Sequence, residues 1–413
     1  MHEMKLRSTD PRSFRHVIIF QGAAASIKAI SVLVLFVVLS ACASYPRIIY
    51  NSQDAAIAQI PGYPGIRAWA DGQEVDFSGP GFWKPVMNSG PLRYLALSGG
   101  GSGGAFGAGV LAGWAKAGNR PAFDIVSGVS TGALTAPFAF LGPSYDGALK
   151  TLYTSGVARP ASDLKWLPAG ILGSGLLETE KFHSLVNSYM TPEVLAAVAA
   201  EYNKGRRLFI VTTNMDLQRP VVWDMGKIAA SGNPDALSLF RKVMIASASI
   251  PGGYAPVLID VTANGKHFQE MQVDGGASTQ LFTLPDWMLV NPPGQIANVD
   301  LYVLINNTLL PEFSLTPNTT LGVLARAYST IIKSQTRTAL MATYSITKAS
   351  GISFHVAAID KMVNYDVADP FNVQYTNTLY NIGYNEAAEG TVWKTLPTFE
   401  GSNQGSNLPH NQK

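Results

Sequence analysis

From residue 92 onward, short apolar runs alternate with longer segments whose apolar positions recur at helical spacing. Runs with the length and composition of buried strands cover residues 92–97, 123–127, 207–213, 221–224 and 300–305. Helical patterns cover residues 105–116, 131–141, 236–249, 319–348 and 371–388. The alternation predicts an α/β fold, with a mostly parallel central sheet flanked by helices on both faces.

The N-terminus has a different pattern. Residues 1–28 carry five Lys or Arg residues, and a largely apolar stretch follows from residue 29 to residue 39. A basic segment before an apolar core of about 10–15 residues predicts a secretory signal. A spanning helix would need roughly 20 apolar residues.

The apolar core ends in Leu39-Ser40-Ala41-Cys42, which resembles the bacterial lipobox. We therefore expect a signal peptide at residues 1–41 and acyl chains on Cys42, which would anchor the protein to a membrane surface. By the same resemblance, Ala43 after the cysteine favours the outer membrane. The alternative is an ordinary signal peptide followed by a coincidental cysteine.

The rest of the chain divides into four expected parts. These are a Pro- and Gly-rich tether and collar at residues 42–91, a main domain at 92–310, a helical extension packed on it at 311–400 and a disordered polar tail at 401–413. Hydrophobic residues make up 47% of the chain and charged residues 14%, which suits a large core. The formal charge of +2 and the lack of a basic run with aromatics argue against a nucleic-acid partner.

Two glycine-containing motifs are the first candidates for chemistry. The stretch Ser98 to Gly109 is rich in glycine and follows a predicted strand, an arrangement that points backbone N–H groups at negative charge. The second motif, Gly128-x-Ser130-x-Gly132, also joins a strand to a helix. This is the nucleophile-elbow pattern, whose alternative is a plain strand–helix turn.

A serine nucleophile needs a base. Of the six histidines, His2, His16 and His410 lie in the predicted signal and tail, and His183 lies in a polar amphipathic segment. His267 and His355 remain, and His355 fits the order serine, acid, histidine. The other candidate is Asp274, in an Asp-Gly-Gly turn.

The order of the Gly-Gly-Gly loop, the Gly-x-Ser-x-Gly motif and the Asp-Gly-Gly turn resembles the patatin-like phospholipase family over residues 92–305. The resemblance implies a three-layer α/β/α fold, Ser130 as nucleophile and Asp274 as its partner in a dyad. It also implies an oxyanion hole formed by the N–H groups of Gly99, Gly100 and Gly101.

Two positions depart from the family pattern. Ser98 stands where the family usually has Asp, and Gly103 stands where it usually has Arg or Lys. In the family that cation helps to hold the loop. Its absence bears on loop rigidity and rate, and leaves the reaction class unchanged.

The sequence therefore predicts a lipid-anchored serine acyl hydrolase acting on phospholipids or other acyl esters, with no cofactor or metal, since it has no EF-hand loop or zinc-type spacing. One alternative is an inactive envelope lipoprotein with the same fold. Another is a dinucleotide-binding oxidoreductase, because Gly99-x-Gly101-x-x-Gly104 precedes Asp124 by about the right spacing.

Overall fold

The computed structural model describes residues 47–72, 90–163, 175–286, 288, 294–296, 298–363, 365 and 369–398. The predicted signal peptide, Cys42 and the predicted tail at 401–413 lie outside the described residues. Among the described helices, none combines the length and the apolar character needed to cross a bilayer.

Nine strands of the described chain form one sheet. They are β1 (Arg67–Trp69), β2 (Leu92–Leu97), β3 (Ile125–Val129), β4 (Arg207–Asn214), β5 (Arg219–Asp224), β6 (Val257–Ala263), β7 (Lys266–Asp274), β8 (Val299–Thr308) and β9 (Ser353–Ile359). The main order is β1-β5-β4-β3-β2-β8-β9, and β7 pairs with both β4 and β6. Strands β4, β3, β2, β8 and β9 run parallel, and the other pairings are antiparallel.

Helices cover both faces of this sheet. They are α1 (Ser52–Ala56), α2 (Gly104–Lys116), α3 (Thr131–Leu141), α4 (Asp146–Thr154), α5 (Thr179–Tyr189), α6 (Pro192–Asn203), α7 (Met225–Ala229), α8 (Ala236–Ser247), α9 (Thr320–Ser350) and α10 (Val373–Ala388).

Alternation along the strands produces two cores. In β2, Leu95 and Leu97 point to the core beneath α2, α3, α8 and α10, while Tyr94 and Ala96 point to the core that includes Leu340 of α9. Both faces are thus buried, as expected of parallel strands. The structure confirms the predicted α/β fold with a mostly parallel sheet in a three-layer α/β/α arrangement.

Strands β1, β6, β7 and β9 were not predicted. In β7, the inward positions include Glu270, Gln272 and Asp274, all buried, so the strand lacks an apolar alternation that would reveal it. Strand β9 lies within residues 311–400 and extends the sheet beside β8, so this region contributes a strand as well as helices.

Candidate active site

Ser130 occupies a sharp turn between β3 and α3. Its backbone has φ 55° and ψ −122°, a conformation that residues with a side chain rarely adopt. Such strain costs of order 1–3 kcal/mol and persists only where the surroundings enforce it. Here the Ser130 carbonyl accepts the N–H groups of Ala133 and Leu134, which start the helix.

Both glycines of the elbow are required by close backbone contacts. A Cβ atom on Gly128 would lie 2.4 Å from the carbonyl oxygen of Gly132. A Cβ atom on Gly132 would lie 2.4 Å from the carbonyl oxygen of Leu97, at the end of the neighbouring strand. The motif is therefore a tightly packed turn in which only glycine fits on either side of Ser130.

The sheet brings Ser130 and Asp274 together at the point where strands β3 and β7 end. Strand β3 pairs with β4 as far as Val129 opposite Val211, and β7 pairs with the next residues of β4, beginning with Asp274 opposite Thr212. Because β7 is antiparallel to β4, its end meets the end of β3. The Ser130 hydroxyl donates a hydrogen bond of 2.6 Å to Asp274 Oδ2.

Asp274 is buried without a neutralising cation. It is 2% exposed, and none of the ion pairs in the described part of the chain involves it. Its second oxygen, Oδ1, accepts the N–H of Gly276 at 2.7 Å. Burial raises the pKa of Asp274 to about 7, although the hydrogen bonds from Ser130 and Gly276 oppose the shift.

The end of α8 holds both residues of this pair. The Ser130 N–H donates to the hydroxyl of Ser247 at 3.2 Å, and that hydroxyl donates to the Val211 carbonyl at 2.6 Å. The Asp274 N–H donates to the carbonyl of Ser249 at 2.9 Å. One helix end therefore fixes the backbone on each side of the Ser130–Asp274 hydrogen bond.

The glycine loop lies against Ser130, since a Cβ atom on Gly99 would lie 3.4 Å from the Cβ of Ser130. The Gly99 N–H donates to the carbonyl of Gln280 at 3.0 Å, so it is not free to bind an oxyanion in this conformation. The N–H groups of Gly100 and Gly101 have no acceptor among the described residues. Of the three predicted donors, these two remain available.

Asn306, at the end of β8, holds the loop. Its side-chain Nδ2 donates to the Ser98 carbonyl at 2.9 Å, and its backbone N–H donates to the Ser98 hydroxyl at 2.9 Å. Its carbonyl oxygen lies where a Cβ atom on Gly100 or Gly103 would be, at 1.9 and 2.0 Å. No side chain can stand at position 103, so the cation of the family pattern is replaced by a direct contact with Asn306.

His355 lies far from this site. It stacks on Tyr302 of β8 at 4.6 Å between ring centroids, and Tyr302 is in register with Val126 of β3. At about 3.3 Å per residue and 4.8 Å per strand, His355 is about 13 Å along and 14 Å across the sheet from Ser130. The other candidate, His267, is exposed at the far end of β7.

Asp124 also lies at the wrong edge for a dinucleotide site. Its carboxylate accepts the Arg93 N–H at 2.8 Å, near the start of β2. The glycine loop follows the opposite end of the same strand. An acid that binds the ribose would need to reach the loop side, so this geometry opposes the oxidoreductase alternative.

Ser247, Gln280 and Asn306 were not predicted as site residues. Ser247 accepts the Ser130 N–H and the Gln280 carbonyl accepts the Gly99 N–H, and no sequence motif reveals either bond. Asn306 interrupts the apolar pattern of β8 and is 1% exposed. A buried amide at a strand end was the available signal.

The chain is similar to a known protein family in sequence and to a solved protein structure. Residues 95–285 match the family model described as patatin-like phospholipase. No curated protein matches the chain. Among solved structures, VipD from Legionella pneumophila is similar with a TM-score of 0.33 and 13% identity, covering 74% of this chain and 67% of VipD.

Proposed function

We propose that this chain, whose residues 95–285 match the patatin-like phospholipase family model, hydrolyses fatty-acyl esters of lipids through a Ser130–Asp274 dyad. The observation that carries the proposal is the 2.6 Å hydrogen bond from a strained elbow serine to a buried carboxylate. A nucleophile within hydrogen-bond distance of its base is the arrangement that covalent acyl transfer needs.

The reaction proceeds through an acyl-enzyme. Ser130 Oγ forms a bond to the ester carbonyl carbon, and its proton passes to Asp274. The N–H groups of Gly100 and Gly101 stabilise the resulting oxyanion, each donor contributing about 3–4 kcal/mol in comparable sites. The bond to the alcohol then breaks as Asp274 returns the proton to the leaving oxygen.

Water completes the cycle. It attacks the acyl carbon while Asp274 accepts its proton, and the proton then returns to Ser130 as the fatty acid leaves. The raised pKa of Asp274, about 7, makes this carboxylate a far better base near neutral pH than an ordinary aspartate with a pKa near 4.

We further propose that acyl chains on Cys42 hold the enzyme at the outer membrane. The support is the lipobox-like Leu39-Ser40-Ala41-Cys42 after an apolar core. Mass spectrometry of the mature N-terminus should find an acylated Cys42. Replacement by Cys42→Ser should leave the protein without acyl chains, and an unmodified Cys42 in the mature protein would contradict the proposal.

The test of function is hydrolysis of a short p-nitrophenyl ester and of phospholipid vesicles. We expect Ser130→Ala and Asp274→Ala to abolish hydrolysis on both substrates. His355→Ala is the matched control and should retain the wild-type rate. Loss of activity in folded His355→Ala protein would argue for a triad instead.

Reaction with a fluorophosphonate separates an active enzyme from an inactive lipoprotein. The probe should label wild-type protein at Ser130 and leave Ser130→Ala unlabelled. An unlabelled wild type without hydrolysis would favour the inactive alternative.

A further inference from the structure

Among the described residues, the N-terminal half of α9 contributes no side chain to either hydrophobic core. The buried residues of this helix begin at Thr336, and Leu340 packs among the residues of the second core. Between residues 320 and 335, every side chain that the structure describes is at least partly exposed. This half of the helix is held instead by hydrogen bonds from Arg326 and Lys333 to the segment that follows β8.

Large apolar side chains are exposed on this half and on the segment before it. They are Phe313 at 88%, Leu315 at 84%, Val323 at 51%, Leu324 at 60% and Ile331 at 53% exposure. At 100° per residue, Val323, Leu324 and Ile331 lie within an arc of about 100° around the helix axis. Clustered apolar side chains mark an interaction surface, whereas isolated ones do not. We call these five residues the apolar surface.

The apolar surface lies at the edge of the sheet that carries the site. Segment 309–312 follows the end of β8, where Asn306 holds the glycine loop, and three cations of α9 donate to its carbonyls. These bonds run from Arg337 to Leu309 at 3.0 Å, Lys333 to Leu310 at 2.7 Å and Arg326 to Glu312 at 2.6 Å. Burial, and to a smaller extent the charge of Asp274, raise the pKa of Tyr328 in the same half of α9.

The charge of this region is predominantly positive, although Lys333 pairs with the Glu312 carboxylate at 2.6 Å. Between Glu312 and Asp360 the sequence contains Arg326, Lys333, Arg337 and Lys348 and no acidic residue. Apolar side chains with neighbouring cations are typical of helices that lie in the interface of a membrane with anionic lipids.

We propose that the apolar surface docks the protein on an anionic phospholipid interface beside the Ser130 site. This inference rests on the proposed function, because docking would bring acyl esters to the nucleophile. A lipid surface fits better than a second copy of the chain. A two-fold contact would place like charges of the two helices against each other.

The test measures binding of the full chain to vesicles of phosphatidylglycerol and phosphatidylcholine. Every protein carries Cys42→Ser, so that acylation at this position cannot contribute. The test variant combines Phe313→Ser, Leu315→Ser, Val323→Gln, Leu324→Gln and Ile331→Gln. The matched control combines Ile57→Ser and Leu396→Ser, whose side chains are 51% and 55% exposed elsewhere.

We expect the dissociation constant for vesicles to rise about tenfold or more in the test variant and to stay unchanged in the control. Higher salt, or vesicles without phosphatidylglycerol, should weaken binding of the parent protein. Unfolding temperatures checked beside binding would show whether the variant folds. If it does not, Phe313→Ser with Leu315→Ser alone must weaken binding, since both side chains are nearly fully exposed.

Unchanged binding in a folded test variant would overturn the proposal. So would a change in oligomeric state, by size-exclusion chromatography, without a change in vesicle binding, which would show a contact between copies. Weakened binding in the variant alongside a parent that hydrolyses no ester would support docking and contradict the proposed function. A parent protein that hydrolyses the soluble ester but binds no vesicle would contradict docking and support the proposed hydrolase function.

Discussion

Two buried carboxylates on β7 have opposite surroundings. Glu270, fully buried, pairs with the Arg67 guanidinium from β1 and accepts a further bond from Gln272. Asp274, four residues on and 2% exposed, faces a serine hydroxyl and one backbone N–H. The first charge is neutralised in place, and the second keeps a raised pKa because nothing neutralises it.

The contrast indicates that Glu270 has a structural role, whereas Asp274 has the surroundings that the proposed chemistry needs. An ion pair such as Arg67–Glu270 offsets desolvation and links β7 to β1. A cation beside Asp274 would do the same, but it would lower the basicity that proton transfer requires. Under the proposed mechanism, the lack of a neighbouring cation disfavours the charged form of Asp274 and makes this carboxylate a stronger base.

The largest expected effect is on the rate in Asp274→Asn. The amide keeps the shape of the side chain and an acceptor for Gly276, yet it cannot accept a proton. We expect kcat for ester hydrolysis to fall about 10³- to 10⁴-fold, the range of general-base removal. Loss of activity in a variant that is no less stable than wild type at pH 5 would assign the loss to chemistry. A rate within tenfold of wild type would show that another group is the base.

The matching change at the paired carboxylate should act on stability. Glu270→Gln leaves the Arg67 charge buried without a counterion, which costs about 3–5 kcal/mol of unfolding free energy. Urea unfolding measures this loss. The double variant Arg67→Met/Glu270→Leu removes both charges and should recover most of it. If Glu270→Gln unfolds at the wild-type urea concentration, the pair is not neutralising a buried charge.

The pH dependence follows from the sign of the Asp274 shift. Its pKa is about 7 in the folded protein and near 3.8 when unfolded, so the folded state holds a proton that the unfolded state releases. The stability from this group is full below pH 4 and is lost as pH rises through 7, up to about 4 kcal/mol. Hydrolysis needs the carboxylate, so its rate should rise through pH 7.

Unfolding of wild type and Asp274→Asn at pH 5 and pH 8 isolates this contribution, because the other titrating groups are common to both. The asparagine variant should gain stability relative to wild type at pH 8. An equal difference at both pH values would contradict the raised pKa.

The sequence was sufficient for the motifs and for the central strands, because both are local patterns. The parallel strands have near-continuous apolar runs, and the elbow follows from Gly128-x-Ser130-x-Gly132. The meeting of Ser130 with Asp274 depends instead on β7 continuing the pairing of β4 beyond β3, which no local pattern encodes. The commitment of the Gly99 N–H to Gln280 is equally non-local.

The smallest expected effect concerns the glycine loop, where the proposed oxyanion would form. Gly103 stands at the position of the family's Arg or Lys, and Asn306 holds the loop through Ser98. Asn306→Ala removes the bond to the Ser98 carbonyl and frees the loop to shift. We expect kcat to fall about 10²-fold, the size of losing one oxyanion donor.

A change in kcat with little change in KM distinguishes a positioning role from a structural one, because only the transition state carries the oxyanion. Asn307→Ala, the next residue along β8, is the matched control, since within the described part of the chain the Asn307 side chain accepts only the adjacent Thr308 N–H. It should keep the wild-type kcat. If Asn306→Ala raises KM and leaves kcat intact, Asn306 acts on substrate binding, and the loop is held by the packing of Gly100 and Gly103 alone.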